Sequence, residues 1–267
     1  MAKASHGGYD VTRFRSLADI EDRHFWFRAR RTLIRCLTRR ITSRLPAGFR
    51  VLELGCGSGN MLGALEIGCA RGTVIGMDLF YEGLGLARMR GHRNLVQADA
   101  AAPPFSEAFH LIGIFDVIEH VSNDVDALRQ IFHLLRPDGY LLVTVPAYPG
   151  LWSEFDDLSH HCRRYTEAEL REKLINAGFE IGKLTPYMAT TLPLVWLHRK
   201  LLQNPNRQSG GRRADDLIES EIRIVPFVNG VLAAFLWLES QFVAWGGRLA
   251  FGTSLFAIAR KRESDSV

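Results

Sequence analysis

The sequence predicts an α/β fold, a seven-stranded and mostly parallel sheet with helices on both faces. Two observations predict it. Short apolar runs alternate with segments of helical period from residue 50 to about residue 185, and this alternation is typical of a parallel sheet. Three alternating glycines (Gly55, Gly57 and Gly59) join the first apolar run to the first helical segment. Glycine permits positive φ and close approach of the backbone, so we expect a ligand beside this turn.

Each element follows from a local pattern. Apolar, β-branched runs predict strands at 50–54, 73–77, 94–97, 111–115, 140–145, 180–185 and 253–259. Helical spacing predicts helices at 60–68, 81–90, 124–135 and 166–177. Thr166 and Glu169 form an expected capping box, Asp124 is an expected N-cap, and Gly178 is an expected glycine after a helix end.

The chain divides into three parts: an N-terminal helical cap (1–45), a core (46–185 and 251–262) and an apolar helical insertion (186–250). The cap contains a basic amphipathic helix, whose arginines are Arg28, Arg30, Arg31, Arg35, Arg39, Arg40 and Arg44. A solvated face is the simplest interpretation of this charge, and an anionic membrane surface or anionic substrate comes next. Nucleic acid is not expected as a partner, because no binding module accompanies the charge.

The insertion contains an uncharged run from residue 224 to 238, interrupted by Pro226 and Asn229 and closed by Glu239. A membrane span needs about 20 apolar residues. We therefore favour a helix pair that is buried or faces a partner, including a second copy in a homodimer. Attachment to a membrane surface and a true span remain as alternatives.

Composition is ordinary for a folded protein, with 47% hydrophobic and 23% charged residues and a net charge of +4. The opening residues lack the charged-then-apolar pattern of a signal peptide, and the four cysteines show no CxxC or disulfide spacing. A cytoplasmic protein is expected, with the inner face of the membrane as its alternative place.

The glycine turn is a weak match to the fingerprint of one common cofactor class, the dinucleotides. The dinucleotide fingerprint is G-x-G-x-x-G, and Asn60 stands where its third glycine belongs. A nucleotide-dependent oxidoreductase is therefore a weak rival. The helix after the turn still directs unpaired N–H groups at a ligand, which favours an anionic group.

The stretch "VLELGCGSGN" instead resembles class I S-adenosylmethionine (SAM)-dependent methyltransferases, in the bacterial small-molecule group related to methyltransferase types 11 and 12. Four further stretches resemble the same family in order: "VIGMDL", "LVQADA", "FDVIEHV" and "LRPDGYLLVTVP". The resemblance implies a Rossmann-like fold with SAM as the cofactor. Cofactor-binding residues implied by it are Glu53, Gly55, Cys56, Gly57, Gly59, Asp78, Leu79, Asp99, Ala100, Phe115 and Asp116.

The resemblance also implies roles within that set. The methionine carboxylate of SAM would meet the helix after Gly59, and Glu53 would help to hold the ammonium group. Asp78 would accept the ribose hydroxyls, Leu79 would pack on adenine, and Asp99 would lie near the adenine amine.

Acceptor-binding residues are expected after the fifth strand, in "PAYPGLWSEFDDLSHHCRRYTEAEL". This stretch resembles bacterial methyltransferases that have His-x-Arg-Arg-Tyr. The resemblance implies His161 as the general base, Arg163 or Arg164 as the group that holds an anionic substrate, and Tyr165 as a positioning residue. A surface histidine, and an arginine paired with Asp156 or Asp157, are the structural alternatives.

No metal is expected, although Asp116-x-x-Glu119-His120 with a later histidine would suit Mg²⁺, Mn²⁺ or Zn²⁺. The combined hypothesis is SAM-dependent methyl transfer to a small or lipid-linked acceptor, most readily at a hydroxyl oxygen, with peripheral membrane contact as an option. The alternatives are transfer to nitrogen, carbon or sulfur, and a SAM-binding protein without catalysis. The N-terminal helix is expected to cover the cofactor cleft as a lid.

Overall fold

Seven strands form one sheet in the order β3-β2-β1-β4-β5-β7-β6. The computed structural model describes residues 18–106, 108–196 and 225–262. Strands β1 to β5 are parallel, whereas β7 runs antiparallel between β5 and β6. The strands are β1 (Arg50–Leu54), β2 (Thr73–Asp78), β3 (Leu95–Gln97), β4 (Phe109–Phe115), β5 (Leu135–Pro146), β6 (Glu180–Tyr187) and β7 (Ser254–Arg260). The predicted fold class is confirmed.

Seven α-helices have both ends within the described residues and accompany the sheet. They are α1 (Phe25–Thr42), α2 (Asn60–Gly68), α3 (Tyr81–Met89), α4 (Asp124–Leu134), α5 (Glu154–Leu158), α6 (Glu167–Asn176) and α7 (Pro226–Ala244). Part of the predicted insertion, including its polar stretch at 203–216, falls outside the described residues, as do residues 1–17 of the predicted cap.

Two apolar clusters cover the two faces of the sheet. On one face, α4 and α6 contribute Leu128, Ile131 and Leu174 to a core with β4, β5 and β7. On the other, α1, α2 and α7 contribute residues such as Leu33 and Leu236. The helices therefore cover both faces of the sheet. The carboxyl ends of the parallel strands β1, β2 and β4 lie together at one end of it.

Local signals set most element boundaries. The Thr166 hydroxyl accepts from the Glu169 amide at 3.2 Å and the Glu169 carboxylate accepts from the Thr166 amide at 2.7 Å, so α6 begins with the predicted capping box. Gly178 follows α6 with φ +101°. The N-cap of α4 is Asn123, whose side chain accepts from the Asp126 amide, so the prediction of Asp124 at that position was wrong.

The fourth helix ends one residue earlier than predicted, and β5 begins immediately at Leu135 rather than at residue 140. Pro137 accounts for the change, because a proline disfavours the helical conformation of the residue before it. Leu135 then pairs with Phe109, and Asp138 adopts φ +63°.

Candidate active site

The glycine turn after β1 has the backbone that the sequence predicts. Gly55, Gly57 and Gly59 have φ of +70°, +50° and +80°. A Cβ on Gly59 would lie 2.6 Å from the His92 ring, and one on Gly55 would lie 2.4 Å from Val117. Both positions therefore require glycine, and the turn directs the N-terminus of α2 towards the carboxyl edge of the sheet.

Asp78 ends β2 beside this turn. Its carboxylate accepts from the Gly57 amide at 2.7 Å and from the Phe80 amide at 2.8 Å. Burial raises the pKa of Asp78, and these backbone donors act against that rise. The contacts hold the carboxylate one strand away from the glycine turn, where the sequence predicts the ribose to bind.

Glu53 lies beneath the turn, and 2% of it is exposed. Its Oε2 has no hydrogen-bond partner among the described residues, and burial raises its pKa well above the usual range. Buried polar atoms are almost always paired. An unpaired carboxylate oxygen at this depth fits a ligand that brings its own donor, such as an ammonium group.

Predicted adenine-side residues occupy the neighbouring strand end. The Asp99 carboxylate accepts from the Ala101 amide at 2.8 Å, and Gln97 donates to the Leu79 carbonyl at 3.0 Å. The Asp99 side chain is exposed, and Ala100 packs partly against the core. Leu79 and Asp99 therefore lie near Asp78, just after the carboxyl ends of the adjacent strands β2 and β3.

The segment before α1 covers the glycine turn. Ser58 donates to the Glu21 carboxylate at 2.5 Å, and Arg90 pairs with the same carboxylate at 3.0 Å. Asn60 donates to Asp22 at 3.5 Å. These contacts join the chain before α1 to the glycine turn, the start of α2 and the end of α3.

Arg30 is a site residue that the sequence interpretation missed. It forms a buried ion pair with Asp116, which leaves β4 at φ +53°, and its guanidinium lies 4.3 Å from the centre of the Trp26 ring. The sequence pattern groups Arg30 with the arginines of the basic helix. Its signal was helical spacing, because Arg30 shares the buried stripe with Leu33 and Leu37.

A histidine–carboxylate pair lies after β5. His161 Nδ1 is 2.9 Å from Asp156 Oδ1, and Asp156 is fully buried. Burial opposes ionisation of Asp156, but the hydrogen bond from His161 and the charge of Arg164 lower its pKa to about 2. The ionised carboxylate therefore orients the imidazole and leaves Nε2 as the nitrogen for other contacts.

Glu119 and His120 complete a cluster with His161. Ligand atoms of the three residues lie within 4.8 Å of one another, and the two imidazole rings are 4.7 Å apart. Glu119 is fully buried, and neither carboxylate oxygen has a partner among the residues described. Burial raises the pKa of Glu119 well above its usual range and lowers that of His120 to about 4. The donor set would suit a divalent cation.

The other predicted catalytic residues, Arg164 and Tyr165, are buried and hydrogen-bonded to carboxylates. Arg164 donates to Asp156 at 2.7 Å and to the Ala147 carbonyl at 3.2 Å. Tyr165 is 1% exposed and donates to Asp124 at 2.8 Å, and Arg163 pairs with the same carboxylate at 2.7 Å. These contacts fix the loop and agree with the alternative in which an arginine pairs with Asp156, while the substrate-side roles expected for Arg164 and Tyr165 stay predictions.

The comparison with protein families decides the identity of this fold. Residues 21–184 match the family described as a methyltransferase domain, which is more than half of the chain. The chain belongs to this methyltransferase-domain family. Membership confirms the cofactor expected from the glycine turn, S-adenosylmethionine. The glycine cradle fits its carboxylate group, and Glu53 Oε2, which lacks a partner among the described residues, fits its ammonium group.

Two relatives show the range of similarity. A probable SAM-dependent methyltransferase of Mycolicibacterium smegmatis is 31% identical over 179 residues, which are 64% of this chain and 65% of that protein. A ubiquinone biosynthesis O-methyltransferase of Xylella fastidiosa is 32% identical over 112 residues, 39% of this chain and 45% of that protein. The chain thus spans just under two thirds of the length of the M. smegmatis methyltransferase.

Solved structures share the fold. A phosphoethanolamine N-methyltransferase 2 of Haemonchus contortus in complex with SAM aligns with a TM-score of 0.58 at 18% identity, covering 97% of this chain and 59% of that one. A SAM-dependent methyltransferase of Thermotoga maritima aligns with a TM-score of 0.55 at 15% identity, covering 94% and 96%. At this identity the likeness concerns the fold alone.

Proposed function

We propose that this protein transfers the methyl group of SAM to a hydroxyl oxygen of a small or lipid-linked acceptor, with His161 as the general base. The observation that carries the proposal is the His161–Asp156 pair, because a buried ionised carboxylate on Nδ1 prepares Nε2 to accept a proton. Similarity to an O-methyltransferase over 112 residues supports oxygen as the acceptor atom.

The residues around the glycine turn would bind and orient the cofactor. SAM, when bound, supplies a methyl group that is already activated for displacement. The N-terminus of α2 would hold its carboxylate, Glu53 its ammonium group and Asp78 its ribose. The Arg30–Asp116 pair and the segment before α1 would exclude water from the cleft.

His161 would act on the acceptor. Its Nε2 would accept the hydroxyl proton of the acceptor while the acceptor oxygen displaces S-adenosylhomocysteine from the methyl group that SAM supplies, and Asp156 would stabilise the imidazolium that forms. Removal of a general base of this kind costs about 10²- to 10⁴-fold in rate.

The test is His161→Asn, with acceptors screened from phenols and lipid-linked hydroxyl compounds. SAM affinity measured by calorimetry should stay within about twofold, while kcat/KM falls by about 10²-fold or more. His133→Asn, an exposed histidine of α4, is the matched control and should leave both quantities unchanged. Wild-type SAM binding without turnover of any acceptor would favour the non-catalytic SAM-binding alternative.

A second activation mechanism is favoured by one observation: the fully buried carboxylate of Glu119 lies beside two imidazoles and has no hydrogen-bond partner in the part of the chain that the structure describes. A divalent cation held by Glu119, His120 and His161 would lower the pKa of a bound hydroxyl. Chelation distinguishes the mechanisms. Activity that survives EDTA supports His161 as the base, and activity lost to EDTA and restored by Mg²⁺, Mn²⁺ or Zn²⁺ supports the cation.

A further inference from the structure

Helix α7 has one buried stripe and one exposed stripe. Leu232, Leu236, Ser240 and Val243 pack inward at spacings of three and four residues. The opposite stripe comprises Phe227, Val231, Leu238, Phe242 and Trp245, which are 82%, 40%, 57%, 51% and 82% exposed. So many large apolar side chains on one helix face mark an interaction surface.

This stripe carries no acidic side chain. The single carboxylate of α7, Glu239, points elsewhere and accepts from the Ala189 amide at 3.1 Å and from Thr190 at 3.2 Å. Two further aromatic side chains beside the stripe, Phe235 and Trp237, are 56% and 50% exposed.

Helix α1 lies alongside α7 and presents positive charge on the same side. Asn229 accepts from the Phe25 amide at 2.8 Å near the start of both helices, and Arg40 donates to the Ala244 carbonyl at 3.1 Å near their ends. Both helices bury their inner stripes in one core. The outer stripes of the two helices therefore face solvent on the same side of the molecule.

The outer stripe of α1 is basic. At 100° per residue, Arg28, Arg35 and Arg39 point opposite to the buried stripe that contains Leu33 and Leu37, and all three are exposed. An aromatic stripe and an arginine stripe thus run side by side along two packed helices. We define the docking face as these two stripes.

We propose that the docking face binds the surface of an anionic lipid bilayer. Aromatic side chains enter the boundary between headgroups and acyl chains, and arginines contact the lipid phosphates. Charge complementarity selects this occupant over a second copy of the chain, because neither stripe of the docking face carries an acidic side chain that could pair with the arginines of another copy. Helix α7 is long and apolar enough to cross a membrane, but its inner stripe is packed on the core, so it lies along the bilayer instead.

Docking on this face would bring the candidate active site close to an acceptor that is held in the bilayer by a lipid. This consequence rests on the proposed function. The same α1 that presents arginines outward supplies Arg30 inward to the candidate active site. Lipid binding itself requires neither SAM nor acceptor, so it can be measured independently of catalysis.

The test is co-sedimentation of the full chain with vesicles of phosphatidylcholine alone or mixed with phosphatidylglycerol. We expect binding to the anionic vesicles that weakens as salt rises. Leu238→Glu with Phe242→Glu should reduce it at least tenfold, since acidic groups cannot enter the interface. Arg35→Glu with Arg39→Glu should weaken binding to the anionic vesicles by roughly fivefold per residue. The preference for anionic over neutral vesicles should then disappear.

Ile175→Glu is the matched control, because Ile175 is 55% exposed on α6, outside the docking face, and its replacement should not change binding. SAM affinity and thermal unfolding check that each variant is folded. Wild-type protein that ignores anionic vesicles, or binding that survives both double substitutions, would overturn the proposal. Concentration-dependent dimers that disappear with Leu238→Glu and Phe242→Glu, without lipid binding, would assign the face to a second copy.

Discussion

At the scale of single residues, the acceptor side of the site depends on Asp156. This buried carboxylate contacts His161 and Arg164, and through the Ser153 amide it also helps to begin α5. The Asp156 side chain therefore holds the proposed base His161, the buried guanidinium of Arg164 and the N-terminus of α5 in place. Arg164 is a positioning residue in this arrangement, since its charge keeps Asp156 ionised.

Replacing Asp156 by asparagine should lower kcat/KM by about 10²-fold or more, because the amide cannot stabilise a protonated His161. It should also cost about 3–5 kcal/mol of unfolding free energy, since Arg164 then stays buried without its carboxylate. Steady-state kinetics at saturating SAM and urea unfolding measure the two effects. Asp126→Asn, at an exposed ion pair on α4, is the control and should change neither by much. Full activity in Asp156→Asn would exclude the His161–Asp156 mechanism.

Gly59 allows a direct test of the cofactor turn. In Gly59→Ala, the new Cβ would lie 2.6 Å from His92 and 3.0 Å from Ala87, at φ +80°. We expect weaker SAM binding and a loss of about 1–3 kcal/mol of stability. Gly85→Ala in α3 is the matched control, since nothing lies within 4 Å of its added Cβ, and it should be neutral or stabilising. Calorimetry and thermal unfolding would show whether the two variants differ.

At the scale of elements, Asp124 joins α4, α6 and the loop between β5 and α6. Its carboxylate accepts from Tyr165 and pairs with Arg163 and Lys173, both at 2.7–2.8 Å. Burial opposes its ionisation, but hydrogen bonds from Lys173, Tyr165 and Arg163 outweigh burial and lower the pKa of Asp124. Arg163 and Lys173 therefore join the loop after β5 and α6 to the start of α4.

This lowered pKa predicts a pH dependence. A carboxyl group whose pKa is lower in the folded state stabilises the fold above its unfolded pKa of about 4, and that contribution is lost as pH falls through the folded value. Asp124→Asn should reduce the unfolding free energy by about 1–3 kcal/mol at pH 7, and the difference from wild type should shrink below about pH 4. Urea unfolding at pH 7 and pH 3 measures it. A difference that is constant with pH would exclude the assigned role of the charge.

At the scale of the whole molecule, the sheet order brings four strand ends to one edge. β1, β2 and β3 supply the predicted cofactor side, and β4 supplies Asp116 and the cluster around Glu119. β7 lies antiparallel between β5 and β6. The chain therefore leaves β6 and enters β7 at the same end of the sheet. The helices α1 and α7 pack together there and form the docking face.

The sequence by itself determined the alternation of strands and helices, the glycine turn and the acidic strand ends, because each depends on neighbours within a few residues. Helical spacing places Arg30 on the buried stripe of α1, but only tertiary structure decided that its partner is Asp116, 86 residues away. It also decided that His161 meets Glu119 and that Tyr165 is enclosed by Asp124. Those contacts join distant segments, and no local propensity specifies which side chain of a charged or aromatic pair the packed core will enclose.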